Sequence, residues 1–221
     1  MIYAYGICER ASATRLPPRR GLGRATLRAL ATDGLAAIFT RHRSFRPSMS
    51  RGMVLAHERV VEAMMDRGAV LPLRFGTQLE GEDALAAVLT ERRDELLGAL
   101  ERVRGKVELG LRVIPQPGAD RELGARQLSG RSYILARARE HRRRERAAVE
   151  VHRPLAELAA ASTLRAHPMP PALLVAAYLV DAERVDEFRA SAAEFEHHAA
   201  GAQVVVTGPW PPYNFVGEEA A

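Results

Sequence analysis

Few residues in this chain are placed to do chemistry. The stretch "HERVV" at His57 resembles the opening of a zinc-protease helix, but the second histidine needed one turn later to share a metal is replaced by Val61. "GLGRAT" from Gly21 lacks the third small residue of a dinucleotide fingerprint and follows a loop, so a flexible turn is the expected reading. His197 and His198 are adjacent, hence on different sides of a helix, and read as surface residues. Cys8 is the single cysteine and sits in strand-like sequence, where a small buried thiol is expected. Serine, histidine and aspartate occur without the spacing of a triad, and no P-loop occurs. The residues point to no enzyme, cofactor or metal.

Charge is unevenly spread. Residues 10–51 carry ten arginines against one acid, residues 121–153 ten against four, and residues 154–221 three against nine, so the C-terminal part is acidic. Such segregation suits contact between parts of opposite charge or with partners. Lys106 is the one lysine, which makes arginine number a matter of coding bias as much as of surface design. The run from Arg137 through Arg142, Arg143 and Arg144 to Arg146 forms a candidate basic contact face. An arginine-rich helix could serve a nucleic-acid-binding module, the alternative function here. Against it, the strands offer mainly Val, Leu and Ala where an RNA-binding sheet displays aromatics, so no nucleic acid is expected as partner. No run of eighteen apolar residues exists and "MIYAYGICERA" lacks a basic leader, so a cytoplasmic protein without membrane contact is expected.

Two stretches remain, and both need firm positioning. In "LPLRFGT", Pro72 restricts hydrogen bonding, Phe75 can anchor in a core and Gly76 permits a turn, leaving Arg74 and Thr77 as polar groups at a strand-to-helix corner. Thr77 and Glu80 have capping-box spacing, while Asp83 lies nearer the following helix, so two caps compete. In "GPWPPYNF", Gly208, Pro209, Trp210, Pro211, Pro212, Tyr213 and Phe215 make a stiff extended segment barred from an interior strand. Its aromatics are expected to pack back onto the chain's own domains rather than mainly on a partner; full burial would make Trp210→Ala cost on the order of 3–5 kcal/mol.

The elements that must carry these stretches follow from periodicity. Strands are expected at Ile2–Ile7 and Ala36–Thr40, and a helix presenting Met53, His57, Val60, Val61 and Met64 until Gly68 stops it. A second helix from about Asp83 carries Leu85, Val88, Leu89, Leu96, Leu100 and Val103. "GKVELGLRV" then alternates strictly, with Val107, Leu109, Leu111 and Val113 on one face and Lys106, Glu108 and Arg112 on the other. From Asp120 to Val151 the sequence is helical with a wholly polar middle, and Pro154 is expected to open a fresh helix. Residues 172–180 read as a buried strand, Val185, Phe188, Ala192, Phe195 and Ala199 as one helix face, and Gln203–Thr207 as a closing strand. The fold class is α+β: an N-terminal domain at 1–117, a helical connector at 118–165, and a C-terminal domain at 166–221 that includes the proline-rich tail.

"VLPLRFGT", "GKVELGLRV", "SGRSYILARA", "AAYLV" and "TGPWPPYNFV" occur in an order that, with "MIYAYGI" at the start, resembles the GvpF/GvpL family of gas vesicle proteins over nearly the whole chain. The resemblance implies two α+β domains, the C-terminal one a variant of the ferredoxin-like arrangement. It implies a cytoplasmic, non-enzymatic minor component or assembly factor of gas vesicles, with the hydrophobic shell protein GvpA and other accessory Gvp proteins as partners. It also marks the RFGT corner and the GPWPPY terminus as the motif residues through which such contacts would run.

Overall fold

In the computed structural model, residues 1–14, 20–44, 46–115, 130–165, 172–196 and 202–217 are described, with only part of the side chains in the long helix at 130–157. The chain groups into two compact units, Met1–Val107 together with Trp210–Ala221, and Glu108–Pro209.

The first unit is built on β1 (Ile2–Glu9), whose residues are buried from Ile2 to Cys8. A strand apolar at consecutive positions must be covered on both faces, and β1 lies inside a sheet of order β2-β3-β1-β4 with β2 at Arg28–Ala31, β3 at Leu35–Arg41 and β4 at Val70–Pro72. The short β5 (Gln78–Leu79) pairs with the start of β1. A single-turn helix, α1 (Arg10–Ala13), follows β1. Helix α2 (Arg51–Met65) is capped by the Ser50 side chain, which accepts from the Met53 N–H, and it buries His57, Val60, Val61, Ala63 and Met64. The spacing that predicts this helix is therefore the spacing it buries. The expected second helix is in fact two, α3 (Glu82–Glu91) and α4 (Arg93–Val103), broken at Arg92 where φ is −107° and ψ 20°. Leu85 and Leu89 on one, and Leu96, Leu100 and Val103 on the other, are buried, so the break re-aims a single apolar stripe.

"GLGRAT" is more constrained than a flexible turn. Residues Leu22–Arg24 form a 3-10 turn, and the backbone of Gly21 lies so close to the Tyr5 hydroxyl that a Cβ there would collide with it. The glycine permits the Leu22 N–H to donate to the Tyr5 oxygen at 2.7 Å.

The second unit runs β6 (Lys106–Pro115), α5 (Gly130–Glu157), β7 (Ala161–Leu164), β8 (Leu174–Asp181), α6 (Val185–Glu196) and β9 (Ala202–Trp210), with sheet order β7-β8-β6-β9. A β-α-β-β-α-β chain whose first strand lies between its third and fourth is the ferredoxin-like arrangement. Its core joins Leu109, Leu111 and Val113 of β6 to Val151 and Leu155 of α5, Tyr178 of β8 and Phe188 and Ala192 of α6. The sequence division began this domain at 166; the sheet takes β6 as its first strand and the connector helix as its first crossover. Pro154 does not open a fresh helix but lies inside α5. The backbone bond it removes is offset by the burial of Val151 and Leu155 on either side. Beyond that helix, "ASTL" is the strand β7 rather than more helix. Glu108, expected on the open face of β6, is buried at 6% exposure. Ala199, His197 and His198 lie outside the described residues.

Candidate functional site: the RFGT corner and the proline-rich tail

The corner is wound around the hydroxyl of Tyr3, a residue of β1. The Gly76 N–H donates to that oxygen at 3.1 Å, and the Ala4 N–H donates to the Thr77 carbonyl at 3.0 Å. Gly76 has φ +98°, a conformation costly for any residue with a Cβ. Thr77 turns its hydroxyl onto the Arg74 carbonyl at 2.7 Å, so it closes the corner; Gly81, without a side-chain bond, precedes α3, and neither proposed cap is used. Phe75 packs edge-on against Tyr3 and His57, with ring centroids 6.2 and 5.8 Å away.

His57 ties this corner to α2. Its Nε2–H donates to the Leu73 carbonyl at 3.0 Å, which leaves Nδ1 to accept from the Tyr3 hydroxyl at 2.8 Å. Both ring nitrogens are used in the neutral form, and burial pulls the imidazole pKa down to about 4. Burial likewise pushes the Tyr3 phenol up to about 12, so the pair is a fixed neutral hydrogen bond. The sequence set His57 aside once Val61 had ruled out a metal; its actual work is to hold the corner.

The next residue on α2 holds the tail. Tyr213 donates its hydroxyl to Glu58 at 3.0 Å to one carboxylate oxygen and 3.2 Å to the other. Burial raises the Glu58 pKa, an effect that the Tyr213 hydrogen bond opposes. Pro211, Pro212 and Val216 are buried; the Tyr213 N–H donates to the Pro211 carbonyl at 2.8 Å, and the Phe215 N–H donates to the Pro212 carbonyl at 3.1 Å, closing the 3-10 turn at Tyr213–Phe215. Phe75 and Tyr213 pack against the same cluster of Tyr3, Tyr5, Val60, Val61 and Met64. The two motifs are therefore neighbours on one core, held by His57 and Glu58 in turn.

Not every motif residue is absorbed. Trp210 keeps 43% of its surface exposed, so the packing expected of it falls instead to the two prolines and Tyr213, with Phe215 half-buried. Arg74 is exposed at the tip of the corner. Gly208 and Pro209 lie near the end of β9, just before Trp210, where the Arg189 guanidinium donates to the Gly208 carbonyl at 2.7 Å. In α5 the Arg142 side chain is exposed, while the side chains of Arg137, Arg143 and Arg144 lie outside the described residues. Cys8 is buried and its thiol is pushed up to about 12 by desolvation, which suits packing rather than reaction. Among the described residues no helix is long and apolar enough to cross a membrane, and no group of three His, Cys, Asp or Glu side chains could hold a metal ion.

Comparison with known proteins gives this arrangement its context. The family profile described as "Gas vesicle synthesis protein GvpL/GvpF" matches residues 1–217. Gas vesicle protein L of Streptomyces sp. (strain CB03234) is 34% identical over 186 residues, covering 73% of this chain and 68% of the relative. Gas vesicle protein F of the same strain is 31% identical over 239 residues, covering 97% and 98%. The crystal structure of GvpF from Anabaena sp. PCC7120 superposes with a TM-score of 0.78 at 19% identity, over 98% of this chain and 95% of that one. The GvpF structure from Microcystis aeruginosa gives 0.76. These relatives lend the nucleic-acid alternative no support. With the motif corner and tail mounted on one core, in a fold shared with two GvpF structures and a sequence matched over residues 1–217, the chain belongs to the GvpL/GvpF family of gas vesicle synthesis proteins.

Proposed function

We propose that this protein, whose family gives it a role in gas vesicle formation, acts as an assembly factor or minor component that binds nascent GvpA, screens its apolar surface, and helps nucleate or line the growing shell with other accessory Gvp proteins. The observation that carries the reading is the division of labour within the motifs. His57 and Glu58 fix the corner and the tail rigidly, while Arg74 and Trp210 are left exposed on them. A preorganised cation and a preorganised aromatic side chain are the residue types that anchor protein interfaces. Exposed arginines of α5 such as Arg142 add a basic contact face.

Co-expression with GvpA and the accessory proteins, followed by pull-down and counting of vesicles, tests the reading. GvpA is expected to co-purify, and vesicles to be lost without this protein; normal vesicles in its absence would remove the claim of necessity. Trp210→Ala and Arg74→Ala should weaken capture by tenfold or more while the fold, followed by circular dichroism, is kept.

A further inference from the structure

Among the described residues, the outermost strand of the second sheet has no further strand beside it. Among the described residues β7 pairs with β8 alone, in the register Ala161 to Leu179, Ser162 to Tyr178, Thr163 to Ala177 and Leu164 to Ala176, and all four of its residues are exposed. Arg165 donates its N–H to the Val175 carbonyl at 2.9 Å, which fixes the alternation of the ladder. Bonded pairs then fall on Thr163 and Ala161, and the N–H and C=O of Ser162 and Leu164 point away from β8. Edges of this kind are usually blunted by charge, proline or a bulge; "ASTL" has neither charge nor proline, and the extra bond from the Ala160 N–H to the Leu179 carbonyl at 2.8 Å bulges only the entry to the strand, leaving Ala161 to Leu164 in continuous register. Its counterpart in the first sheet, β2, carries Arg28, whose charge acts on Glu82 of the neighbouring α3.

The side chains define what would fit there. Ser162 and Leu164 stand opposite Tyr178 and Ala176, both members of the core beneath the helices. By register Leu164 lies on the core side of the sheet, beside Ala176, and 43% of its surface is exposed, with no strand beyond it among the described residues. A strand laid alongside would bring an apolar residue against Leu164 on the same face and continue the core outward. A second copy of this chain is a poor occupant, because two four-residue edges paired about a two-fold cover only a small part of the roughly 1,200–2,000 Å² of a stable interface. An extended segment gains its affinity from backbone hydrogen bonds and needs no such area.

We infer that the outer edge of β7, through the backbone of Ser162 and Leu164, is a docking site for an extended strand of alternating apolar residues donated by a β-rich partner. The inference rests on the proposed binding of the shell subunit, and locates and types that contact. The test compares the full chain with Leu164→Lys, Ser162→Lys and the control Ala29→Lys on β2, each co-expressed with GvpA, read by co-purification and by amide hydrogen exchange of the complex. Wild type and the Ala29→Lys control are expected to bind equally, with exchange of the Ser162 and Leu164 amides slowed at least tenfold in the complex. The two β7 variants should lose binding tenfold or more with unchanged melting temperatures. Binding by the β7 variants at wild-type level, or unchanged exchange at Ser162 and Leu164 in a complex that does form, overturns the edge site and leaves the proposed function standing. Absence of binding by the wild-type chain overturns both.

Discussion

The two sheets have the same strand order and fill it differently. In each, the first strand lies between the third and the fourth: β2-β3-β1-β4 in the first unit, β7-β8-β6-β9 in the second. The first crossover is a four-residue helix and a 3-10 turn in one, and a 28-residue helix in the other. The first core is threaded with polar groups, Tyr3, Tyr5, Thr40 and His57, each hydrogen-bonded. The second is mainly aliphatic around Tyr178 and Phe188, whose rings are 4.9 Å apart, with the Tyr178 hydroxyl 2.7 Å from Nδ1 of His152. Buried hydrogen bonds gain little net stability but are costly to break, so they specify one arrangement. The unit that carries the motifs is the one that pins them by direction, and the other is held mainly by volume.

That contrast can be broken most forcefully at Phe188, which is fully buried. Phe188→Ala should cost about 3–5 kcal/mol, seen in urea unfolding as a loss confined to the second unit, with Tyr3 and His57 signals unmoved in NMR spectra. Loss of both sets together would mean that the cores do not respond separately. Next in size is the acid response of the first unit. His57 titrates at about 4 when folded and near the usual 6.5 when unfolded, so the unfolded chain binds a proton that the native one rejects between those values. Its contribution to stability is complete above pH 6.5 and is lost as pH falls toward 4, by up to roughly 3 kcal/mol. Glu58, raised by burial, acts in the opposite sense. Unfolding followed from pH 4 to 7 should show the net slope, and His57→Gln should flatten it; an equal slope in that variant would assign the effect elsewhere.

Smaller effects sharpen the comparison. A tryptophan with 43% of its surface already in solvent loses less on truncation than a buried one, and Trp210→Ala should cost about 2 kcal/mol, below the 3–5 expected of full burial. A melting shift matching the larger figure would place the indole in the core. Tyr213→Phe keeps the ring and removes the bond to Glu58, at a cost of about 1 kcal/mol. The same substitution in a Glu58→Gln background should cost less, and an equal cost in both backgrounds would show that the carboxylate is not its partner.

Much of this architecture is written in local pattern. The strict alternation of "GKVELGLRV" gives β6, and the repeat from Met53 to Met64 gives α2, because a single buried face imposes its period on the residues. The short outer strands β2 and β7 are not legible in that way: four residues, exposed on nearly every side, carry no period. Helix breaks are equally silent, since Arg92 is an ordinary helix residue whose backbone is bent by packing on either side. The motif residues could be picked out as unusual text, and the family resemblance with them. Their anchors could not, because Tyr213 and Glu58 are 155 residues apart and "HERVV" suggests a metal helix before it suggests two clasps.

Trp210 is the only tryptophan in the chain, and it stands where the last strand gives way to the clasped tail, neither sunk in a core nor free of the surface. It is therefore a built-in fluorophore at the most informative point of the molecule. Its emission should shift to the blue when a partner covers the indole and to the red when the tail is released from Glu58. A cuvette measurement on the unlabelled protein could then follow docking and undocking in real time.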